Sequence, residues 1–383
     1  MTPTIRVIGS LNADMVSVTP RFPEPGETLT ATSFTTSAGG KGANQAVACG
    51  RLSRSRPSSV PSTSKPNVLA NVEMVGAVGQ LDAHFETLLK PALLVSGVDI
   101  HGVRVVENEH TGVAVIIIDT SAGGENRILF SPNANHAGMQ PTAAVISSAL
   151  AEPLPDIIVL QAEIPLETVV GILRAVAATN QQLRARGEES KYIEVVINPA
   201  PAPEAGLPDD VYGSIDHLIM NETECELMAP KELEGVLSGL SEEQRRDRIA
   251  IHFHKLGVPH VIVTLGSKGV WYSAAEPGAE AQADKSAWMR FVQDVPAAKV
   301  EKVVDTTAAG DTFVGGYSVQ MAQWKGQRSA AKATQDYARL TREELKDKLG
   351  RVTDETVRWA TKASARCVQR AGAMDSIPFQ NEI

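Results

Sequence analysis

The stretch PDIIVLQAE, residues 155–163, is a short unbroken apolar run that stops at Gln161 and Glu163. A run of this length without alternation reads as a strand buried on both faces. The same form recurs downstream in KYIEVVINPAP (191–201), IDHLIMNETE (215–224) and PHVIVTLGSKG (259–269), each ending in polar or glycine residues. Upstream lie TIRVIGS (4–10) and NVEMVGAVG (71–79). Apolar spacing of helical period falls between most of these runs, at 43–52, 82–97 (with Pro91 as a possible kink), 166–179, 222–229 and 242–256. Strands alternating with helices predict a mostly parallel sheet with helices on both faces. TGVAVIIIDT (111–120) and NRILFSP (126–132) flank SAGGE and predict a hairpin.

Ligands of such sheets bind beyond the carboxyl ends of the strands. Those ends carry the polar residues here: Asn12 and Asp14, Gln161 and Glu163, Asn198, Asn221 and Glu224, and Thr264 to Gly269. Two segments break the pattern and read as surface insertions: the Ser/Pro-rich 53–66 and the highly charged 325–355.

The 383 residues carry a formal net charge of −9 and 43% hydrophobic residues, which suits a large core. No basic stripe with interleaved aromatics is present, which argues against a nucleic-acid partner. No apolar run approaches the ~20 residues that span a bilayer. Cys49, Cys225 and Cys367 show no CxxC spacing and read as reduced thiols of a cytoplasmic protein.

DTTAAGDTFVGG (305–316) places one acid, Asp311, at the mouth of a helix whose apolar face runs through Phe313, Tyr317, Met321 and Trp324. The N–H groups of Ala308 to Asp311 form an anion site there, and Asp311 can accept a substrate proton. Read by itself, Asp311 is better explained as a plain helix cap. SAGGKGANQAVA (37–48) fits neither a P-loop nor a dinucleotide fingerprint, because Gln45 stands where the third glycine would be. Its glycines Gly39, Gly40 and Gly42 suit a backbone pressed against a small polyol, with Asn44 as donor and acceptor. An ordinary glycine turn is the alternative. Asn12 with Asp14 suits vicinal hydroxyls, and Glu224 suits a hydrated Mg²⁺ or the first turn of a helix.

Together these stretches resemble the ribokinase branch of the PfkB carbohydrate kinase family. GGKGANQ and DTTAAGDTFVGG are similar to its two signatures, and NADMVSVTPRFPEPGET, INPAPA, NETECE and TLGSKG occur between or beside them in the family's order. The resemblance implies a single domain over 1–383: a three-layer αβα sandwich with a mostly parallel central sheet and a small β-sheet lid, with lid strands from about 14–36 and 100–130. It implies ATP-dependent phosphorylation of D-ribose at O5, with Mg²⁺ and an activating K⁺, and a homodimer formed through the lid. Asn12, Ala13, Asp14, Gly40, Lys41, Gly42, Ala43, Asn44 and Glu163 would hold the sugar. Asn198, Thr264, Leu265, Gly266, Ser267, Lys268, Gly269 and Gly310 would hold ATP. Ala308, Ala309 and Gly310 would form the anion hole, with Asp311 as base. Asp305, Thr307, Cys367, Arg370, Gly372 and Ser376 would hold K⁺, and Glu224 would hold Mg²⁺ through water. Met374 and Asp375 stand where the family often has Gln-Pro. The alternatives are a sibling kinase acting on deoxyribose, fructose or a nucleoside, and an inactive sugar-binding regulator.

Overall fold

The computed structural model describes residues 2–57, 68–121, 125–204, 206–276, 289–331 and 340–383. The expected insertion 53–66 is thus described only over 53–57, and the turn of the expected hairpin lies outside the described residues.

Nine strands form the large sheet: β1 (Thr4–Ile8), β4 (Asn71–Gly79), β5 (Val98–Val106), β8 (Ile157–Leu160), β9 (Glu194–Ile197), β10 (His217–Asn221), β11 (His260–Thr264), β12 (Val270–Ala275) and β13 (Arg290–Val295). Their order is β13-β12-β11-β10-β9-β8-β1-β4-β5. Pairing is parallel from β5 through β11 and antiparallel at β11/β12 and β12/β13. The apolar runs alternate between two core layers. Ile5, Val7, Ile157 and Val159 face one; Ile8, Ile158 and Leu160 face the other. Helices α1 (Lys41–Leu52), α5 (Ala309–Ala331) and α6 (Thr353–Cys367) cover the first layer; α2 (Leu166–Ala185) and α4 (Glu242–Lys255) cover the second. The short α3 (Glu222–Leu227) starts directly from the end of β10.

A separate four-stranded sheet has the order β3-β2-β6-β7, from β2 (Asn12–Thr19), β3 (Ser33–Gly39), β6 (Gly112–Asp119) and β7 (Glu125–Ser131). Of the range 100–130 read as lid strands, residues up to 106 lie instead in β5, the edge of the large sheet. The TLGSKG turn is itself a hairpin: Gly266 and Gly269 take φ of +56° and +106°, and the chain returns antiparallel as β12.

The charged segment 325–355 is not wholly a solvated insertion. Residues 325–331 continue α5, and Lys348, Leu349 and Val352 are buried. Lys348 Nζ donates to Glu194 Oε1 at 3.0 Å, and His217 Nε2 lies 3.0 Å from Glu194 Oε2. Tyr317 of α5 meets His217 Nδ1 at 2.9 Å, and His260 stacks on His217 at 4.4 Å. Burial favours the neutral acid at Glu194, but Lys348, His217 and Lys325 outweigh it and hold its carboxyl well below the usual range. Charge patterning hid this anchor, because a lysine drawn inward by one acid looks in sequence like its solvated neighbours.

Removing one member of a buried pair strands the other charge. Lys348→Met should cost about 3–5 kcal/mol in urea unfolding. A loss below about 1 kcal/mol, the range of surface pairs, would show that the segment is not anchored by this contact.

Candidate active site

The sheet's carboxyl edge gathers the residues singled out by sequence. Asn12 and Asp14 open β2, which pairs antiparallel with β3 so that Asn12 faces Gly39. A Cβ at Gly39 would fall 2.1 Å from Asp14 Oδ2, one at Gly40 (φ +89°) 2.8 Å from the Asn12 nitrogen, and one at Gly42 2.5 Å from the Ser10 nitrogen. The close approach these glycines permit is therefore to the chain's own residues, where the sequence reading had placed a polyol. Glu163, after β8, accepts from Ser10 Oγ at 2.6 Å and from the Lys41 N–H at 3.0 Å, tying the start of α1 to two strand ends. Ala13 and Ala43 are fully buried packing residues. Asn135, which no motif pointed to, donates to Asn12 Oδ1 at 2.7 Å and accepts from the Leu11 N–H at 2.9 Å, fixing the Asn12 amide.

Asp311 sits in the first turn of α5, nearly buried. Ala308 takes φ +59° and turns the chain into the helix. First-turn N–H groups lack intrahelical acceptors, and among the described residues those of Gly310 and Asp311 find no backbone acceptor. A Cβ at Gly310 would meet nothing within 4 Å, so the space before them is open. Asn44 Nδ2 donates to Asp311 Oδ2 and Gln45 Nε2 to Asp311 Oδ1, each at 3.0 Å. Gln45 also reaches Asn198 Oδ1 at 3.3 Å and accepts from Gln161 Nε2 at 2.7 Å. Gln45 was noticed in sequence only as a departure from a glycine fingerprint. Asn44 Oδ1 is buried with no partner among the described residues.

The cleft beside Asp311 has a volume of about 230 Å³ and is lined by Lys41, Asn198, Glu224, Thr264, Gly310 and Asp311, among others. Burial pushes the Asp14 carboxyl up to about 7, with Glu163 and Asp311 adding to it. Burial likewise raises Glu163, against the pull of Lys41. Burial works against the Lys41 ammonium, but Asp311, Glu163 and Glu224 outweigh it and hold its pKa above the ordinary lysine value. Glu224 and Asn221 form a reciprocal cap on α3, and Glu224 Oε2 also accepts from Asn198 Nδ2 at 3.2 Å. Glu224 is thus a helix cap and a cleft carboxylate at once.

Of the TLGSKG residues, Thr264 lines the cleft, Leu265 is buried, and Lys268 points to the surface acids Glu222 and Glu242. A second pair of loops meets behind the helix mouth. Asp305 Oδ1 accepts from the Thr307 N–H at 2.8 Å and Oδ2 from the Gly372 N–H at 2.9 Å. Cys367 Sγ lies 3.0 Å from Ser376 Oγ and 3.7 Å from the Thr307 carbonyl. Arg370 is different: its side chain is paired with Glu382 at 3.0 Å. Among the described residues, no three His, Cys, Asp or Glu side chains are grouped to hold a metal by themselves.

The sequence profile of the pfkB family carbohydrate kinases matches residues 2–380. The chain is 36% identical over 387 aligned residues to the ribokinase of Schizosaccharomyces pombe, covering 99% of this chain and 96% of that one. It is 30% identical to the ribokinase of Haemophilus influenzae, covering 100% and 97%. The structure of Arabidopsis thaliana ribokinase complexed with ribose and ATP superposes with a TM-score of 0.70 at 27% identity, covering 100% of this chain and 97% of that one.

The raised Asp14 carboxyl sets a sign. The folded state holds this proton up to about pH 7, whereas an unfolded aspartate loses it near 3.8. Stability is therefore lost as pH rises between those values, by up to about 4 kcal/mol. Asp14→Asn, which stays neutral, should raise Tm relative to the parent at pH 8 and by much less at pH 5. Equal offsets at both pH values in differential scanning fluorimetry would show that Asp14 titrates normally.

Proposed function

The chain belongs to the pfkB family of carbohydrate kinases, and within it we propose that this protein transfers the γ-phosphoryl group of ATP to the 5-hydroxyl of D-ribose. One observation carries the reading. Asp311 stands at a helix mouth between a side of hydroxyl-binding character (Asn12, Asp14, Asn44) and a cleft holding Asn198, Thr264 and Lys41. The unpartnered Asn44 Oδ1 supports a sugar hydroxyl donating to it, since a buried amide oxygen without a partner is costly.

In the proposed reaction Asp311 takes the proton of the 5-hydroxyl as that oxygen attacks the γ-phosphorus in line. The new O5–P bond forms as the bond to the β–γ bridging oxygen breaks, and ADP leaves with that electron pair. The N–H groups of Gly310 and Asp311 face the charge that spreads over the equatorial oxygens. The Lys41 ammonium makes no ion pair among the described residues and adds a second positive group on that side. Mg²⁺, when bound with the nucleotide, would neutralise phosphate charge; Glu224, a carboxylate on the cleft wall with no lysine or arginine partner of its own among the described residues, suits a water-mediated contact. The Asp305-linked loops, with Ser376 Oγ and backbone carbonyls at hand, suit a K⁺ ion that would order the turn before the anion hole.

The small sheet is the proposed lid. Phe34 and Leu129 are exposed on one face of it by the strand register, and we read this apolar face as the surface that pairs two copies. No helix among the described residues is long and apolar enough to cross a membrane. Its three cysteines are free and buried, which supports the reducing cytoplasm.

Asp311→Asn should lower kcat by roughly 10²–10⁴-fold, the usual worth of a positioned base, while ribose still binds calorimetrically. Near-normal ADP release by this variant would refute the assignment, and a higher kcat/KM on 2-deoxyribose or fructose than on ribose would move the sugar preference to a sibling. For the cation, turnover in Tris with KCl should exceed that with NaCl or choline chloride. Equal rates in all three would remove K⁺ from the account.

A further inference from the structure

Gln45 occupies a place that the reaction above does not use. It is fully buried, as is Gln161 behind it, and both lie between strand ends and the mouth of α5. A carboxylate only accepts, so the Gln45 group 3.0 Å from Asp311 Oδ1 has to be the amide NH₂. That leaves Gln45 Oε1 pointing away, where Gln161 Nε2 donates to it at 2.7 Å. The Gln161 amide is itself packed on Gly9, where a Cβ would fall 1.9 Å from Gln161 Oε1. The Gln161 donor thus fixes the orientation of the Gln45 amide, while Gln161 Oε1 itself is buried with no partner among the described residues. With Asn44 on Oδ2 and Gln45 on Oδ1, each Asp311 oxygen receives one amide hydrogen bond.

We propose that Gln45 is a positioning residue for the phosphoryl transfer, holding the Asp311 carboxylate in place through a Gln161–Gln45–Asp311 hydrogen-bond chain. The inference rests on the reading of Asp311 as the base. The Gln45 side chain contacts the carboxylate and Asn198, not a substrate, so it acts through them. A donor aimed at a carboxylate favours the charged form. Its loss takes a donor from the Asp311 carboxylate, while the charged groups that face it, Asp14, Glu163 and Lys41, stay in place in both glutamine variants. The second bond to Asn198 ties the same amide to the cleft proposed for the nucleotide.

The test is the pH dependence of kcat, measured by coupled ADP release with saturating ribose and ATP, for the parent, Gln45→Met and Gln161→Leu. Methionine keeps the length of glutamine and removes the donor. Gln45→Met should lower kcat about 10-fold and move the acid limb of the profile up by about one pH unit, the scale of one charge-assisted hydrogen bond. Gln161→Leu should shift the limb in the same direction by less, because Gln45 keeps its donor but loses its lock. A packing role alone would lower Tm or the active fraction and leave the limb where it is. Unchanged acid limbs in the folded variants overturn the proposal; if Gln45→Met is not recovered folded, Gln161→Leu decides alone. Turnover by Asp311→Asn, measured beside them, separates the two claims. An active Asp311→Asn sinks the base assignment, whereas an inactive one with unchanged Gln45→Met and Gln161→Leu profiles sinks only the role of Gln45.

Discussion

Three carboxylates, Asp14, Glu163 and Asp311, share one largely buried pocket of charge, and the rest of the structure is arranged around keeping them there. Burial pushes Asp14 and Glu163 toward the neutral form, and repulsion from Asp311 drives both the same way. What offsets this is local and directional. Lys41 lies among them, Ser10 and the Lys41 N–H hold Glu163, and two amides and a helix N-terminus hold Asp311. Asp14 has the least of this support, and burial pushes its carboxyl up to about 7. The residue that is electrostatically worst off is the one whose carboxylate a set of donor hydroxyls would relieve. Sugar binding and the relief of this strain are then the same event in the proposed reaction.

The α1 helix is what joins the parts. Its first residues follow directly from β3 of the small sheet, and its side chains Asn44 and Gln45 end on Asp311 and Asn198 at the edge of the large sheet. A shift of the small sheet therefore pulls on the groups that hold Asp311. Gly40 and Gly42 make the junction possible, because any side chain there would strike the backbone of Ser10 or Asn12. The signature is glycine-rich for reasons of chain crossing, and its polar members Asn44 and Gln45 reach Asp311.

Much of this was legible in the sequence. The short apolar runs with polar ends marked out the parallel sheet and its carboxyl edge, and Asp311, Asn198 and Glu224 do meet at one cleft, with Asn44 hydrogen-bonded to Asp311. The misses share a physical cause. Gln45, Gln161 and Asn135 matter through side-chain contacts between residues 116 to 266 positions apart, which no local pattern encodes. The antiparallel strands β12 and β13 were hidden because the turn before them read as a ligand loop. Lys348 was hidden in a run of surface charge, and β5 because its burial pattern is irregular, half exposed at the sheet edge.

The far end of α5 explains how its near end is held in place. Asp311 and Lys325 are separated by 14 residues, about 21 Å of helix. At that distance Lys325 Nζ donates to the carbonyls of Asp156 and Tyr192, and midway Tyr317 is hydrogen-bonded to His217. Both contacts lie at the amino ends of the strands, opposite the cleft. A helix clamped at its foot and middle to the sheet cannot slide along its axis without breaking buried polar bonds, so its first turn is held in register with the strand ends. The buried ionic network around Glu194 is costly in itself. Its place in the fold gives it a use: it fixes the height of the helix whose mouth carries Asp311.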